Sequence, residues 1–343
     1  MVYGASGHSG RLVTRRMCEL GLRPVLCGRD ARKVAAFAGD LDLDHRTAAI
    51  TDPNALGGAL RGVGVVLNAA GPFSRTAEPI ADACLRAGAH YLDITAELPS
   101  IEAIARRNDE ARRRKLMLMP AVGFDVVSTD CLAAHVARRL PHATRLAIAV
   151  TNLFSLSRGS AQTLLENVNR GTVRRDGGLT PLPLGSVERC FDFGHGRSAA
   201  LNVSLGDLTT AYYTTGIANV ETYVEATPLT RALLGACRSF GWLLDTAPAQ
   251  AWLSTWSEAL PMNLGSSEGR TMVVVAEAED EAGRRVCARL RTPEAYEFTG
   301  FTAASIANRV LAGDFEPGFQ TPARVYGRDF VLGFADVARE DIE

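Results

Sequence analysis

Lysine is nearly missing from this 343-residue sequence: Lys33 and Lys115 are the only two, and arginine supplies the rest of the 37 basic side chains. Neither lysine follows a tyrosine by four residues, which excludes a Tyr-x-x-x-Lys catalytic pair. Both fall on expected helices away from strand ends, which disfavours a lysine Schiff base. The six histidines (His8, His45, His90, His135, His142 and His195) show no H-E-x-x-H or other compact ligand spacing, so no metal is expected. A G-x-S-x-G elbow is absent, which argues against a serine hydrolase. The seven cysteines (Cys18, Cys27, Cys84, Cys131, Cys190, Cys237 and Cys287) form no C-x-x-C pair. They read as reduced thiols of a cytoplasmic protein. No apolar run reaches the roughly 18 residues that span a bilayer, so no integral membrane segment is expected. Glycine and polar residues from position 4 onward argue against a signal peptide. The net charge of -1 argues against nucleic acid or an anionic membrane as partner. The basic run Arg112-Arg113-Arg114-Lys115 reads as a solvated face at a helix C-terminus.

What is present points to an α/β protein. Up to about residue 125, apolar runs alternate with helical patterns. The runs are Val2-Tyr3, Pro24–Cys27, Val63–Leu67, Tyr91–Ile94 and Leu116–Val122, as suits strands buried on both faces of a parallel sheet. Leu12, Val13, Met17 and Leu20 place an apolar stripe on the first helix, with Gly21 as its stop. Further helices are expected after Asp30, after Asn54, through Ile80 to Arg86, after Pro99, and from Thr129 or Asp130 to Leu140. Beyond residue 140 strands dominate: Arg145–Thr151, Val187–Phe193, Ala200–Leu205, Val220–Ala226, and a hairpin of Arg270–Glu279 with Arg284–Arg291. A Rossmann-type domain over 1–125 is therefore expected, with an inserted α+β domain over 126–300 containing an antiparallel sheet. Residues 301–343, with a helix from Ala303 to Leu311, are expected to return to the first domain.

The strongest motif is Gly4-Ala5-Ser6-Gly7-His8-Ser9-Gly10, between a strand and an amphipathic helix. Only three residues precede Gly4, fewer than a strand usually runs. The first glycine permits the tight turn, the second lets the backbone approach a pyrophosphate, and the third permits close helix packing. The helix N-terminus presents N–H groups to the anion. Gly4, Ser6, Gly7, His8, Ser9 and Gly10 are thus expected to bind a dinucleotide. After the second strand comes Cys27-Gly28-Arg29-Asp30. Arg29 is placed for a 2′-phosphate, which favours NADP(H) over NAD(H), while Asp30 can cap the next helix. Asp52, after the third strand, suits either the adenine or another cap. Asn68, Ala70, Gly71 and Pro72 close the fourth strand, where small residues let a cofactor lie close.

Hydride transfer asks of a protein positioning, exclusion of water and a proton source. Asp125, in Gly123-Phe124-Asp125, and Tyr212 and Tyr213, in the polar stretch from Asp207 to Asn219, are the candidate catalytic groups. Ser157-Arg158-Gly159-Ser160 is a third polar segment. Residues 240–256, with Phe240, Trp242, Trp252 and Trp256, suit buried core, the face of a homodimer, or an apolar wall for a substrate.

Together these residues resemble the saccharopine dehydrogenase-like NADP-binding family, especially its trans-acting enoyl reductase branch. The resemblance runs through Gly4–Gly10, Leu26–Arg29, Ala70-Gly71-Pro72-Phe73, His90–Glu97, Gly123-Phe124-Asp125, Thr210–Asn219 and Gly318-Phe319-Gln320-Thr321-Pro322. Ala96, Ser128-Thr129 and Ala218 depart from the family pattern. The resemblance implies a Rossmann domain with an inserted substrate domain, and NADPH-dependent reduction of an enoyl group in an acyl or polyketide-type small molecule. Imine reduction of the saccharopine or opine type is the alternative, with Arg158 as carboxylate clamp. A cofactor-binding cyclase, isomerase or non-redox protein is another.

Overall fold

The computed structural model describes residues 1–151, 171–235 and 271–342. They divide into two compact units, Met1–Val127 with Ala295–Gly327, and Ser128–Glu294 with Arg328–Glu343.

In the first unit, short strands alternate with helices. The order is β1 (Val2–Tyr3), α1 (His8–Glu19), β2 (Leu26–Gly28), α2 (Ala31–Asp40), β3 (His45–Thr47), α3 (Pro53–Ala59), β4 (Val65–Asn68), α4 (Phe73–Ala87), β5 (His90–Asp93), α5 (Leu98–Ala105), α6 (Asn108–Arg114) and β6 (Met117–Met119), and this stretch of the unit ends in the opening turn of α7 (Phe124–Arg139). Strands β1, β2, β4 and β6 are buried along their whole length, which is why apolar runs mark them. The strand β3 lacks such a run. It is an edge strand, and His45-Arg46-Thr47 stays largely solvated.

Local signals set most helix ends. Asp30 caps α2 by accepting from the Lys33 N–H, and Asp52 caps α3 by accepting from the N–H groups of Asn54 and Ala55. The helices α4 and α7 begin earlier than the sequence patterns place them, at Phe73 and Phe124. Both starts are capped from a distance. The Glu97 carboxylate accepts from the N–H groups of Phe73 (2.9 Å) and Ser74 (2.6 Å), and Thr299 Oγ1 accepts from the Phe124 N–H (3.0 Å).

Late in the chain come α9 (Ala295–Leu311), β15 (Gly318–Phe319) and α10 (Pro322–Tyr326), which complete this unit. Helix α9 lies along α1 and against β4 and β5. There the Arg16 guanidinium stacks 4.0 Å over the Phe301 ring. The all-parallel sheet runs β3-β2-β1-β4-β5-β6-β15. This is the strand order of dinucleotide-binding sheets, extended by one strand.

The second unit is built on β7 (Arg145–Val150), β8 (Thr172–Arg175), β9 (Gly178–Pro181), β10 (Glu188–Asp192), β11 (Arg197–Val203), α8 (Asp207–Thr215), β12 (Asn219–Glu225), β13 (Met272–Glu279), β14 (Arg285–Thr292) and β16 (Ala338–Ile342). Its sheet runs β10-β11-β12-β7-β13-β14-β16, with β8 and β9 attached at β12. The sheet is mixed rather than antiparallel throughout, because β7 and β12 run parallel. The long connection between them permits that pairing. The β8–β9 hairpin is marked by Asp176-Gly177, both at positive φ (47° and 79°), an Asp-Gly signal for a tight hairpin turn. Residues from Arg328 onward belong to this unit, correcting the expectation that all of 301–343 returns to the first. Strand β16 finds its partner in β14, along Cys287–Arg291. Both Ser157–Ser160 and the Trp-bearing stretch 240–256 lie outside the described residues. Among the described residues no helix is long and apolar enough to cross a membrane. No His, Cys, Asp and Glu cluster among them could hold a metal.

Candidate functional site

The strand order of the first sheet reverses between β1 and β4, so the chain leaves these neighbours in opposite directions. Ligands of open α/β sheets bind in the crevice at such a point. On the β1 side, Gly4 turns the chain at φ +80°, its N–H bonded to Cys27 O (2.8 Å) and its carbonyl accepting from the Gly7 N–H (3.0 Å). A Cβ on Gly10 would lie 2.3 Å from Gly4 O and 2.9 Å from Ala5 Cα, so only glycine lets α1 pack this tightly on the loop. Arg11 secures the loop by donating from Nε to Ser6 O (3.2 Å), with its guanidinium 4.3 Å over the Phe37 ring. His8 is exposed and packs edge-on against Tyr296, with centroids 5.0 Å apart. Ser6 and Ser9 are partly exposed on the same loop.

Two helices begin at this crevice, and their N-termini differ. The cap position of α1 is Gly7; no side chain caps the helix and no acid lies in its first turn. Its first N–H groups therefore face outward for an anion. At α4 the corresponding N–H groups are taken by the Glu97 carboxylate. A pyrophosphate thus fits α1, where among the described residues no side chain caps the helix.

Arg29 follows β2, exposed and without a hydrogen-bond or ion-pair partner among the described residues. The Asp30 beside it is engaged in capping, leaving the cation as the group free to meet a ribose phosphate. Asp52 is likewise engaged in capping α3. On the β4 side, Ala70, Gly71 and Pro72 form a partly exposed loop, with a cis Gly71–Pro72 peptide. A Cβ on Gly4 would come 2.8 Å from Ala70 Cβ and from Ala70 N, so the two loops touch. Asn68 is wholly buried. Its Oδ1 accepts from the Ala70 N–H (3.0 Å), and its Nδ2 donates to Thr76 Oγ1 (3.1 Å) and the Tyr91 hydroxyl (3.3 Å).

Sequence patterns did not single out Tyr91, Asp93, Thr95 and Glu97 as a working group. Tyr91 and Asp93 share one face of β5, and Thr95 and Glu97 follow in the segment after it, each N–H held by the side chain two residues earlier. The Tyr91 hydroxyl donates to Asp93 Oδ2 (2.7 Å), and Asp93 Oδ1 accepts from the N–H groups of Thr95 (2.9 Å) and Ala121 (2.8 Å). Burial pushes the Asp93 carboxyl up to about 6, against the opposing pull of the bonds from Ala121, Tyr91 and Thr95. Asp125 lies in the first turn of α7, just past β6, and is half-buried. Burial raises its carboxyl to about 6 as well.

Tyr212 and Tyr213 belong to the second unit, on α8, with ring centroids 5.9 Å apart. The buried Arg174 lays its guanidinium 4.6 Å over the Tyr212 ring. It also donates to Leu208 O, Gly177 O (2.6 Å) and Thr209 Oγ1 (3.2 Å). Tyr213 is 38% exposed, the more open of the two phenols.

Comparison with known proteins agrees with this geometry. Residues 1–119 match the family model described as the saccharopine dehydrogenase NADP binding domain. The trans-acting enoyl reductase of Mycobacterium ulcerans (strain Agy99) is 29% identical over 161 residues, covering 45% of this chain and 38% of that protein. The trans-acting enoyl reductase of Mycobacterium leprae (strain TN) is 31% identical over 148 residues, 41% of this chain and 35% of that protein. The matches thus span less than two fifths of each relative's length. The fold is similar over its full length to apo saccharopine dehydrogenase (L-Glu forming) from Saccharomyces cerevisiae. The TM-score is 0.64 at 13% identity, covering 100% of this chain and 99% of that one. Residues 1–119 are thus similar to a saccharopine dehydrogenase NADP binding domain, which makes NADP(H) the cofactor of this unit.

Proposed function

We propose that this chain is an NADPH-dependent oxidoreductase that reduces the enoyl double bond of an acyl or polyketide-type substrate in the cytoplasm. The carrying observation is the uncapped N-terminus of α1 behind the glycine loop, with Arg29 exposed beside the next strand. The names of the mycobacterial relatives support the enoyl reading. Imine reduction of the saccharopine or opine type is the second reading, favoured by the name of the matching family model; its carboxylate clamp, Arg158, lies outside the described residues.

Bound NADPH would supply the hydride. The residues of this chain have the remaining tasks. The N–H groups of the α1 first turn and the glycine loop would hold the pyrophosphate and Arg29 the 2′-phosphate, beside the small residues of Ala70-Gly71-Pro72. Reduction of the double bond also needs a proton at the neighbouring carbon. Tyr212, Tyr213 and Asp125 are the proposed sources. Asp125 is favoured because a carboxyl near 6 holds and releases a proton close to neutral pH. A homodimer is part of this proposal, and light scattering of the purified protein tests it; the stretch 240–256 lies outside the described residues.

Loss of NADPH absorbance in stopped flow with an enoyl thioester tests the reaction. Turnover with the enoyl panel and none with imines is the expected result. Turnover with imines alone, or with neither class while NADPH still binds, rejects it.

A further inference from the structure

We propose that Tyr91, backed by Asp93, is a positioning residue for the dinucleotide: its hydroxyl is the middle link of a hydrogen-bond circuit that fixes the Ala70 backbone, against which the glycine loop is set. This rests on the crevice between β1 and β4 being the cofactor site. The direction of every link is determined. Because Asn68 Oδ1 accepts from the Ala70 N–H, its Nδ2 must face Thr76 Oγ1 and the Tyr91 oxygen. The Thr76 hydroxyl donates to Ala70 O at 2.6 Å. Tyr91 receives from Asn68 and so sends its own proton to Asp93 Oδ2. From Asp93 the circuit passes through the Thr95 N–H, then from the Glu97 N–H to Thr95 Oγ1 (3.0 Å). The Glu97 carboxylate closes it on the N–H groups of Phe73 and Ser74. Both backbone polar groups of Ala70 are therefore clamped, the N–H by Asn68 and the carbonyl by Thr76.

None of these groups is itself placed to touch a ligand. Asn68, Tyr91 and Asp93 are 0% exposed and Thr76 is 6% exposed. Tyr91 sits in an apolar cluster with Ile80, Cys84, Leu118 and Val126. Burying so many polar atoms there costs free energy that hydrogen bonding only offsets. Apolar side chains of similar volume would serve stability as well. What the circuit adds is orientation. Gly4 approaches Ala70 so closely that a displacement of Ala70 by a few tenths of an ångström would press on the glycine loop or reopen the crevice.

The test is NADPH titration of the full chain by cofactor fluorescence, with melting temperatures recorded in parallel. Tyr91→Phe and Thr76→Val each delete one link while keeping volume. Thr76→Ser restores the Thr76 hydroxyl. Tyr326→Phe deletes a hydroxyl that donates to Asp314 O, elsewhere in the same unit. Tyr91→Phe and Thr76→Val are expected to raise the NADPH Kd about 10-fold, the worth of one buried hydrogen bond. Thr76→Ser and Tyr326→Phe should stay within about twofold of the wild type. If Tyr91→Phe does not fold, the Thr76→Val and Thr76→Ser pair decides. Unchanged Kd in Tyr91→Phe and Thr76→Val, even with lowered melting temperatures, overturns the positioning role. Failure of the wild type itself to bind NADPH overturns the cofactor site, and this proposal with it.

Discussion

Ala70 stands so near Gly4 that a Cβ on the glycine would lie 2.8 Å from both the Ala70 Cβ and the Ala70 backbone nitrogen. The contact joins the ends of β1 and β4 at the point where the sheet reverses. Gly4 also sits at φ +80°, where a side chain is strained in any surroundings. Since backbone cannot move aside as a rotamer can, Gly4→Ala is expected to cost roughly 3 kcal/mol at the crevice, on the order of 100-fold in NADPH affinity. Calorimetric titration measures it. Gly57→Ala is the matched comparison: it lies in α3 with nothing within 4 Å of the added carbon. That change should leave NADPH binding alone and raise stability by up to about 1 kcal/mol.

Arg29 is expected to set the choice between the two nicotinamide cofactors. A charge-assisted contact to a phosphate is worth about 1.5–3 kcal/mol. Arg29→Ala should therefore weaken NADPH by roughly 10- to 100-fold while NADH changes by about twofold or less. Parallel titrations with both cofactors read the difference; equal losses for the two would remove Arg29 from the 2′-phosphate.

Asp125 predicts a pH dependence of stability. Its folded-state pKa, about 6, lies above the ordinary aspartate value of 3.8, because burial disfavours the charged form. In the interval between those values the folded chain holds a proton that the unfolded chain has lost. The stabilisation is therefore complete below about pH 4 and is lost as the pH rises through 6. Asp125→Asn lacks this titration. Its melting temperature should gain on the wild type by a few degrees between pH 4.5 and 7, on the order of 1–2 kcal/mol. Thermal melts across that range measure the gain, and parallel curves for the two proteins would contradict it.

Much of the first unit is legible in the sequence because its signals are local. Gly4–Gly10 announces the phosphate loop, Asp30 and Asp52 cap the helices that follow them, and buried strands show as apolar runs. The starts of α4 and α7 escape the same reasoning for one shared reason. Their capping acceptors, Glu97 and Thr299, lie 24 and 175 residues away in the chain, so no spacing rule can find them. The circuit through Tyr91 and Asp93 is hidden likewise, since its meaning depends on which strands become neighbours. Strand β16 is hidden by composition: Ala-Arg-Glu-Asp-Ile at a sheet edge carries no apolar alternation. The β8–β9 hairpin is not among the expected strands, although Asp176-Gly177 is a standard turn pair. Asp125 is legible as a candidate from Gly123-Phe124-Asp125, but its place in the first turn of a helix is not, because the helix is expected only from Thr129 or Asp130.

Helix α9 packs with Gly300 beside Leu12 and Arg16 of α1, so the nucleotide-binding unit is assembled from stretches of chain made far apart in time. On the ribosome, residues 1–127 emerge on the order of ten seconds before the helix that covers α1. During that interval the nascent half has an uncovered flank and nothing of its own to place there. The packing of α1 is therefore completed only after Ala295–Leu311 has been made, and a chain that stops before Ala295 keeps that apolar flank open.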